Sequence, residues 1–178
     1  MERHEASQTI KAVMEQIRSE CRPTEECEQP VLPETALATL SSFLPTVLNS
    51  ALHIVDHGKV TKFVCVESKR SFLRVQESQA QSQASAHSAK PIHERTSSGA
   101  VYYDLIGDFC HCFFFINQCL SGSSGSSIYC KHIVAAKLAE ALGENFEDKL
   151  LVKEIADQDF QPLFLSSNRH NDKFSEKR

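Results

Sequence analysis

The stretch DFCHCFFFINQCLSGSSGSSIYCKHIVAAKL, Asp108 to Leu138, contains four of the chain's seven cysteines together with two histidines. A Cys-x-Cys pair, Cys110 and Cys112, precedes a loop of serine and glycine, and a Cys-x-His pair, Cys130 and His132, follows it. Aromatic residues typical of strands surround the first pair, and an apolar helical pattern follows the second. The stretch therefore predicts a strand, a loop and a helix start, with the two pairs at the two ends of the loop.

This order of elements suits a metal site. Alternate side chains of an extended segment share a face, so Cys110 and Cys112 point the same way and His111 points opposite. Residues i and i+2 of a regular helix diverge by about 200°, so Cys130 and His132 can converge only in an irregular turn that leads into a helix. Three thiolates and one imidazole, with no open water position, are typical of a structural zinc site. We predict one structural zinc ion held by Cys110, Cys112, Cys130 and His132.

Two other interpretations of these residues stay open. Free cysteine is among the most buried residue types, so the four ligands can instead be reduced core side chains. A redox enzyme that uses Cys110 or Cys130 as its nucleophile is the other alternative, and metal analysis separates it from a zinc protein. Cys119 competes as a ligand, but it stands alone in the loop with no partner at a useful spacing.

Length and composition favour one domain in a reducing compartment. The chain has 178 residues, of which 41% are hydrophobic and 24% charged, enough for a single core. No apolar run approaches the roughly 18 residues of a transmembrane helix, and the start MERHEASQTIKAVMEQ has no apolar segment typical of a secretory signal. An odd number of cysteines fits metal binding or burial better than disulfides. We expect no membrane association and a location in the cytosol or nucleus.

The periodicity predicts an α+β fold with N-terminal helices, a small antiparallel sheet and C-terminal helices. The helices are an amphipathic one from Ile10 to Ile17, two that meet near Pro45, one from Cys130 that ends at Gly143, and one last helix from the apolar residues Leu150, Leu151 and Ile155. The strands are the hairpin KVTKFVCVE and SFLRVQE around SKR, and AVYYDLI and DFCHCFFFI around Gly107.

These elements give a domain plan. Residues 1–33 form an N-terminal helix and an acidic linker with three prolines. Residues 34–160 form a single domain that contains the finger at about 101–143. Residues 79–99, rich in Gln, Ser and Ala, bury too little apolar surface to offset their ordering entropy, so we expect a mobile insertion. Residues 161–178 form a polar tail.

Charge is unevenly distributed along an acidic chain of net charge -4. Residues 59–74 hold five Lys or Arg against one Glu, and Lys69, Arg70 and Arg74 are candidate nucleic-acid contacts. The alternative is a solvated hairpin face. The alternation predicts that Phe63 and Cys65 face the core and Lys62 faces water, which argues against stacking of bases on the phenylalanines.

The segment Glu34–Val55 has more large apolar residues than one helical face needs, so Phe43 and Ile54 are candidate partner contacts. The alternative is that both faces of this helical pair lie inside the core of the chain. Charge substitutions at these two positions would separate an interface from a core.

Cys110-x-Cys112, seventeen residues, then Cys130-x-His132 resembles the SWIM-type zinc finger, CxC…CxH. With ALHIVDHGKVT before the strands and YCKHIVAAKLAEAL in the finger, residues 35 to 160 are similar to the small SWIM subunits of Shu-type recombination complexes. The insertion and the acidic N-terminal extension depart from the short vertebrate form.

The resemblance implies a nuclear, non-enzymatic subunit in homologous recombination DNA repair. It would pair with a RecA-family recombinase paralog and promote or stabilise recombinase filaments on single-stranded DNA, which it would reach through the complex. The chain has no phosphate-binding GxxxxGK[ST] loop and no nucleophile-elbow motif, so neither an enzyme nor a small-molecule substrate is expected. The alternative function is a stand-alone SWIM module that binds nucleic acid or protein, as in transposase-like or ubiquitin-ligase-like proteins.

Overall fold

The computed structural model describes residues 3–23, 30–57, 59–78, 100–121 and 127–168. The predicted insertion at 79–99 lies outside the described residues, as do most of the serine–glycine loop and the tail beyond residue 168. No helix in the described part of the chain is long and apolar enough to cross a membrane.

The described residues form a mixed fold of helices and one sheet, which confirms the predicted α+β class. The helices are α1 (Arg3–Glu20), α2 (Glu34–Phe43), α3 (Leu48–His57), α4 (Lys131–Leu142) and α5 (Asp157–Asn168), with a π-helical turn at Phe115–Cys119. The strands are β1 (Lys59–Cys65), β2 (Ser71–Ser78), β3 (Ala100–Ile106), β4 (Phe109–Cys110) and β5 (Leu151–Ile155).

The five strands of the described sheet lie in the order β4-β3-β2-β1-β5. The strands β1 to β4 pair as antiparallel neighbours, as predicted, and Gly107 takes a positive φ of 55° in the tight turn between β3 and β4. β5 adds a parallel pairing with β1 that the prediction lacked. The sheet is therefore mixed. After α4 the chain comes back to the hairpin, and β5 forms the edge strand beside β1.

One face of the sheet, here called the near face, covers the main core. Val75 and Leu105 are at most 1% exposed and pack with α1, α3 and α4 in one cluster. Nine of the twelve residues of α4 are buried, so this helix is the centre of the core rather than an amphipathic surface helix. Ile10 and Ile17 of α1 are fully buried in the same cluster, so the helix that the domain plan set apart packs with the rest of the fold.

The opposite face of the sheet, here called the far face, is covered by α5, which is the one described helix on that side. Phe63 stacks on Phe72 with ring centroids 4.8 Å apart, and Phe160 and Phe164 of α5 pack edge-on against Phe72. Lys62 lies on the near face with its Nζ 2.7 Å from Glu140 of α4. The expectation that Lys62 faces water is wrong, because helices cover both faces of the sheet.

Two local predictions fail for reasons that lie in tertiary structure. The apolar run at 150–155 forms β5 instead of a last helix, because the edge of β1 offers backbone partners to its β-branched residues. The helix begins later, at Asp157, and extends into the predicted tail. The second finger strand ends at Cys110 instead of continuing to Ile116, since the chain bends at Cys112, whose Sγ accepts a hydrogen bond from the backbone N–H of Phe115 at 3.3 Å.

Candidate metal centre

Four side chains from two separate segments meet beneath the near face of the sheet. The ligand atoms of Cys110, Cys112, Cys130 and His132 all lie within 4.8 Å of one another, and all four residues are buried. His132 turns its Nδ1 towards the sulfurs, 3.6 Å from Cys110 Sγ and 4.0 Å from Cys130 Sγ. The structure thus brings together the four residues that the sequence predicted, and this cluster can hold one metal ion.

The start of α4 allows the Cys-x-His pair to converge. Cys130 is the N-cap residue with φ -84° and ψ 165°, an extended conformation, and its carbonyl accepts the first helical hydrogen bond, from the N–H of Val134 at 3.1 Å. His132 is the second helical residue. Because the backbone changes from extended to helical between the two ligands, their side chains do not diverge as two positions of a regular helix would. The partial positive charge of a helix N-terminus favours the thiolates there.

Glu77 at the end of β2 orients the imidazole of His132. Its Oε1 lies 2.8 Å from His132 Nε2, so the ring nitrogen that faces away from the sulfurs has a carboxylate partner. Glu77 is 1% exposed, and Lys131 Nζ lies 3.1 Å from the same oxygen. A carboxylate behind a histidine ligand holds the ring's tautomer and orientation, and raises its basicity. The cluster therefore has the outer support that metal sites use.

Aromatic and histidine side chains enclose the cluster. The ring of Tyr103 stacks on His132 with centroids 3.7 Å apart and an interplanar angle of 20°. His111, between the two cysteines, points away from the sulfurs, and its Nδ1 lies 3.3 Å from the carbonyl of Asp104. His111 is thus outside the ligand set, as the alternation of an extended segment predicts.

The ionisation of the cluster is typical of groups that share protons. Hydrogen bonds with Cys110 and Cys130 lower the pKa of the Cys112 thiol, and hydrogen bonds with Cys112 and Cys130 raise the pKa of Cys110. Burial lowers the pKa of His132, but hydrogen bonds with Cys112, Cys130 and Glu77 outweigh it and raise that pKa to about 10. Without a metal ion, the imidazolium and a thiolate pair with one another. A metal ion takes the place of these protons.

Cys119 is buried near the cluster but is not one of its four members. Burial raises the pKa of its thiol to about 12. The π-helical turn carries Cys119, and Arg3 of α1 donates a hydrogen bond to its backbone carbonyl. A neutral, buried thiol of this kind is a packing residue. The structure therefore distinguishes Cys119 from the four members of the cluster.

Sequence reasoning did not single out Glu77 or Tyr103. The sequence carried a signal for Glu77, because alternate residues of a strand share a face. Glu77 therefore lies on the same inward face of β2 as Leu73 and Val75. A carboxylate on an otherwise apolar strand face needs a buried partner. Its partner could not be named, since no local pattern states that β2 passes behind the start of α4.

The candidate nucleic-acid residues lie at the hairpin end and on the far face. Arg74 is not a solvent-facing cation, since its guanidinium is paired with Asp104 at 2.7 and 2.9 Å and also donates to the carbonyl of Leu163 at 2.8 Å. Its guanidinium thus already has partners within the chain, and its role as a phosphate contact stays a prediction. Arg70 is 57% exposed and lies 3.4 Å from Asp157, and Lys69 is exposed with a positive φ of 56°.

The candidate partner residues of the α2–α3 pair belong to the core of the chain. Ile54 is 2% exposed, and Phe43 is half-buried against the same cluster. Ile54 therefore cannot contact a partner without unfolding α3, and the core alternative applies to it.

Comparisons with known proteins add no relative: no family model, no curated protein and no solved structure matches this chain. The site is consequently described by its own geometry, a buried Cys3His cluster at a strand end and a helix start that can hold one metal ion.

Proposed function

We propose that the cluster binds one structural zinc ion and that the chain is a non-enzymatic, nuclear subunit of a Shu-type recombination complex. The observation that carries the proposal is the Cys3His cluster, built from CxC at a strand end and CxH at a helix start. Its metal would be zinc because three thiolates and an imidazole form a closed tetrahedral set.

The spacing of the donor atoms supports zinc. A tetrahedral ion with Zn–S bonds of about 2.3 Å and Zn–N bonds of about 2.1 Å separates a sulfur from a nitrogen by about 3.6 Å. The distances from His132 Nδ1 to the sulfurs of Cys110 and Cys130 are 3.6 and 4.0 Å. Both distances lie within a few tenths of an ångström of that value. Four protein donors leave no site for a reactive water, which supports a structural role.

An exposed apolar surface beside the cluster supports a protein partner. We call it the finger patch, and it comprises four side chains that are 48–82% exposed: Phe109, Phe113, Ile116 and Leu120. Residues 109–120 contain no Lys, Arg, Asp or Glu. Exposed apolar side chains in one uncharged segment are typical of protein interfaces and unsuited to phosphate contacts. The partner surface would thus lie at the finger rather than on α2 and α3.

In the complex, this chain would pair through the finger patch with a RecA-family recombinase paralog, and the pair would promote or stabilise recombinase filaments on single-stranded DNA. Any nucleotide would be bound by the partner, because this sequence has no GxxxxGK[ST] loop. Zinc would act on function indirectly, by holding the finger patch in one shape.

The test is capture of partners from nuclear extract with the zinc-loaded chain, identified by mass spectrometry and then reconstituted from purified components. We expect a protein with a RecA-type ATPase core, and we expect Phe113→Asp to abolish its binding while zinc content and melting temperature stay unchanged. Val31→Asp is the matched control, since Val31 is 71% exposed but lies outside the finger patch. Purified recombinase paralogs that fail to bind the zinc-loaded chain would contradict the proposal.

A further inference from the structure

The far face of the sheet carries aromatic side chains on three adjacent strands. Phe63 of β1 is the register partner of Phe72 of β2, and Tyr102 lies on the same face of β3. Phe63 and Phe72 are 8% and 2% exposed because α5 covers them. Aromatic residues on neighbouring central strands are the arrangement on which sheet proteins stack the bases of single-stranded nucleic acid.

Cations surround these rings. Lys153 of β5 is the register partner of Phe63, is exposed, and has no ion-pair partner among the described residues. Arg70 and Lys69 lie at the end of the hairpin. The guanidinium of Arg74 lies over the rings of Phe63 and Phe72, 5.3 and 5.6 Å from their centroids, but its charge is paired with Asp104 on the same face. The cations that a phosphate could reach are therefore Lys153, Arg70 and Lys69. Positive groups at the border of an aromatic surface can follow a phosphate backbone while the bases stack.

The contacts of α5 use the same groups that such a strand would use. The Asp157 carboxylate lies 3.4 Å from Arg70 and 3.3 Å from the backbone nitrogens of Glu67 and Ser68, as a phosphate oxygen would. The ring of Phe160 lies 5.4 Å from Phe72 and 4.9 Å from the Arg70 guanidinium, where a base would lie. The helix therefore occupies, with a carboxylate and two edge-on rings, the same cations and ring faces that a phosphate and a base would contact.

The attachment of α5 is weak compared with that of the other helices. None of the α5 side chains described, those of residues 157–165, belongs to the main core cluster, and the rings of Phe160 and Phe164 are only half-buried. Pro162 lies inside the helix, where it removes a backbone hydrogen bond and disfavours continuation of the regular helix. Displacement of α5 would leave the metal cluster and α4 untouched, because they lie on the near face.

We propose that the far face is a binding surface for single-stranded nucleic acid and that α5 is its intramolecular competitor. The chain is then closed to nucleic acid while α5 covers Phe63 and Phe72, and open when α5 is displaced. This inference goes beyond the proposed function, since it concerns what the chain binds without any partner. It also reverses the expectation from the sequence that bases do not stack on these phenylalanines.

The test measures binding of a fluorescent oligo-dT to the purified, zinc-loaded chain by anisotropy. The wild type should bind weakly at physiological salt. Phe160→Ala with Phe164→Ala loosens α5 without altering the far face, and should tighten binding at least about tenfold, the scale of one stacked base. Affinity should fall with added salt, because neutralised phosphates release counterions. A duplex of equal length should show no such gain, and an oligo-U arm measures whether RNA is preferred.

Matched variants test whether the increase in oligo-dT affinity comes from the far face. In the double variant, Arg70→Ala with Lys153→Ala should remove the increase, whereas Val31→Ala, at an exposed apolar residue away from both the far face and the finger patch, should leave it intact. A zinc-loaded, cooperatively melting double variant with unchanged affinity would overturn the proposal.

If the double variant fails to fold, Asp157→Asn provides an independent test, since it removes the ion pair with Arg70 and weakens the contacts with the backbone nitrogens of Glu67 and Ser68 without removing a ring that packs on the sheet. It should raise the oligo-dT affinity severalfold. Unchanged affinity in a folded Asp157→Asn protein would then count against competition by α5.

Discussion

The two faces of the sheet are covered in opposite ways. The near face is closed by α1, α3 and α4 in one buried cluster, and its charged group Glu77 is bonded to His132 and Lys131. In the described structure the far face is covered by one half-exposed helix, which packs two phenylalanines against two phenylalanines of the sheet and forms an ion pair at the surface. Dense packing and a metal cluster hold the near face in one rigid arrangement. A lightly attached helix on the far face allows a second conformation, in which α5 is displaced. We therefore expect stability to depend on the near face and adaptability on the far face.

The sharpest test of this contrast is removal of a metal ligand. Cys130→Ser or His132→Ala should unfold the near face, because structural zinc contributes on the order of 10 kcal/mol in small modules, comparable with or above the net stability of a domain. The measurements are zinc content by elemental analysis and helicity by circular dichroism, with and without a chelator. Cys119→Ala is the matched control, since Cys119 is equally buried but lies outside the cluster. Absence of zinc from freshly purified wild-type protein would refute the zinc assignment.

A smaller effect is expected at Glu77, which supports a ligand without touching the metal. Glu77→Gln keeps the size of the side chain and removes the charge that holds His132 Nε2 at 2.8 Å. Outer partners of this kind change metal affinity by about 10- to 100-fold. Competition with a chromophoric chelator measures the affinity. Glu140→Gln, which breaks the near-face ion pair with Lys62, is the control and should leave zinc affinity unchanged.

The end of α4 tests how closely the near face is packed. A Cβ on Gly143 would lie 2.5 Å from Leu150 Cβ and 2.8 Å from the carbonyl of Ala139. Gly143 has an ordinary φ of -65°, so it is needed for space rather than for a left-handed turn. Gly143→Ala should cost about 1–3 kcal/mol of unfolding free energy, as overpacking does. Thermal or urea unfolding measures it, and an unchanged midpoint would show that residue 150 can move away freely.

The smallest effect is expected at Asp157 on the far face. Hydrogen bonds from Ser68 and Glu67, together with Arg70, lower the pKa of this exposed carboxyl below its ordinary value of 3.8. A lowered pKa stabilises the fold above the unfolded value and loses this effect only as pH falls through the folded value. The small difference in melting temperature between wild type and Asp157→Asn should therefore be equal at pH 7 and pH 5, and should shrink as the pH falls below the unfolded value of 3.8. A difference that stays constant below this pH would contradict the lowered pKa.

Much of the near face was predictable because its signals are local. The spacing of Cys110, Cys112, Cys130 and His132, with strand, loop and helix in that order, is enough to identify the four members of the metal cluster. The apolar period from Ile10 to Ile17 marked α1, and all four apolar positions of that period are buried. Patterns of this kind depend on how side chains of one element share a face, which follows from backbone geometry alone.

The far face was not predictable in the same way. The run at Leu151–Ile155 has only five residues, two of them charged, so its periodicity does not distinguish a strand from a helix, and the edge of β1 decided the outcome. Phe160 and Phe164 are spaced as helix neighbours, but only their contact with Phe72 shows that α5 covers the sheet. Arg74 belonged to a basic stretch in sequence and proved to be paired with Asp104, thirty residues away.

By itself, the sequence determined the α+β class, the early helices, the hairpin and the four members of the metal cluster, since each depends on spacing within one or two neighbouring elements. Tertiary structure alone decided that Glu77 supports His132, that β5 joins β1 in parallel, and that α5 covers the aromatic face. These three features depend on which distant segments meet. The packing free energy of the whole chain selects which distant segments come into contact, and local periodicity does not predict those contacts.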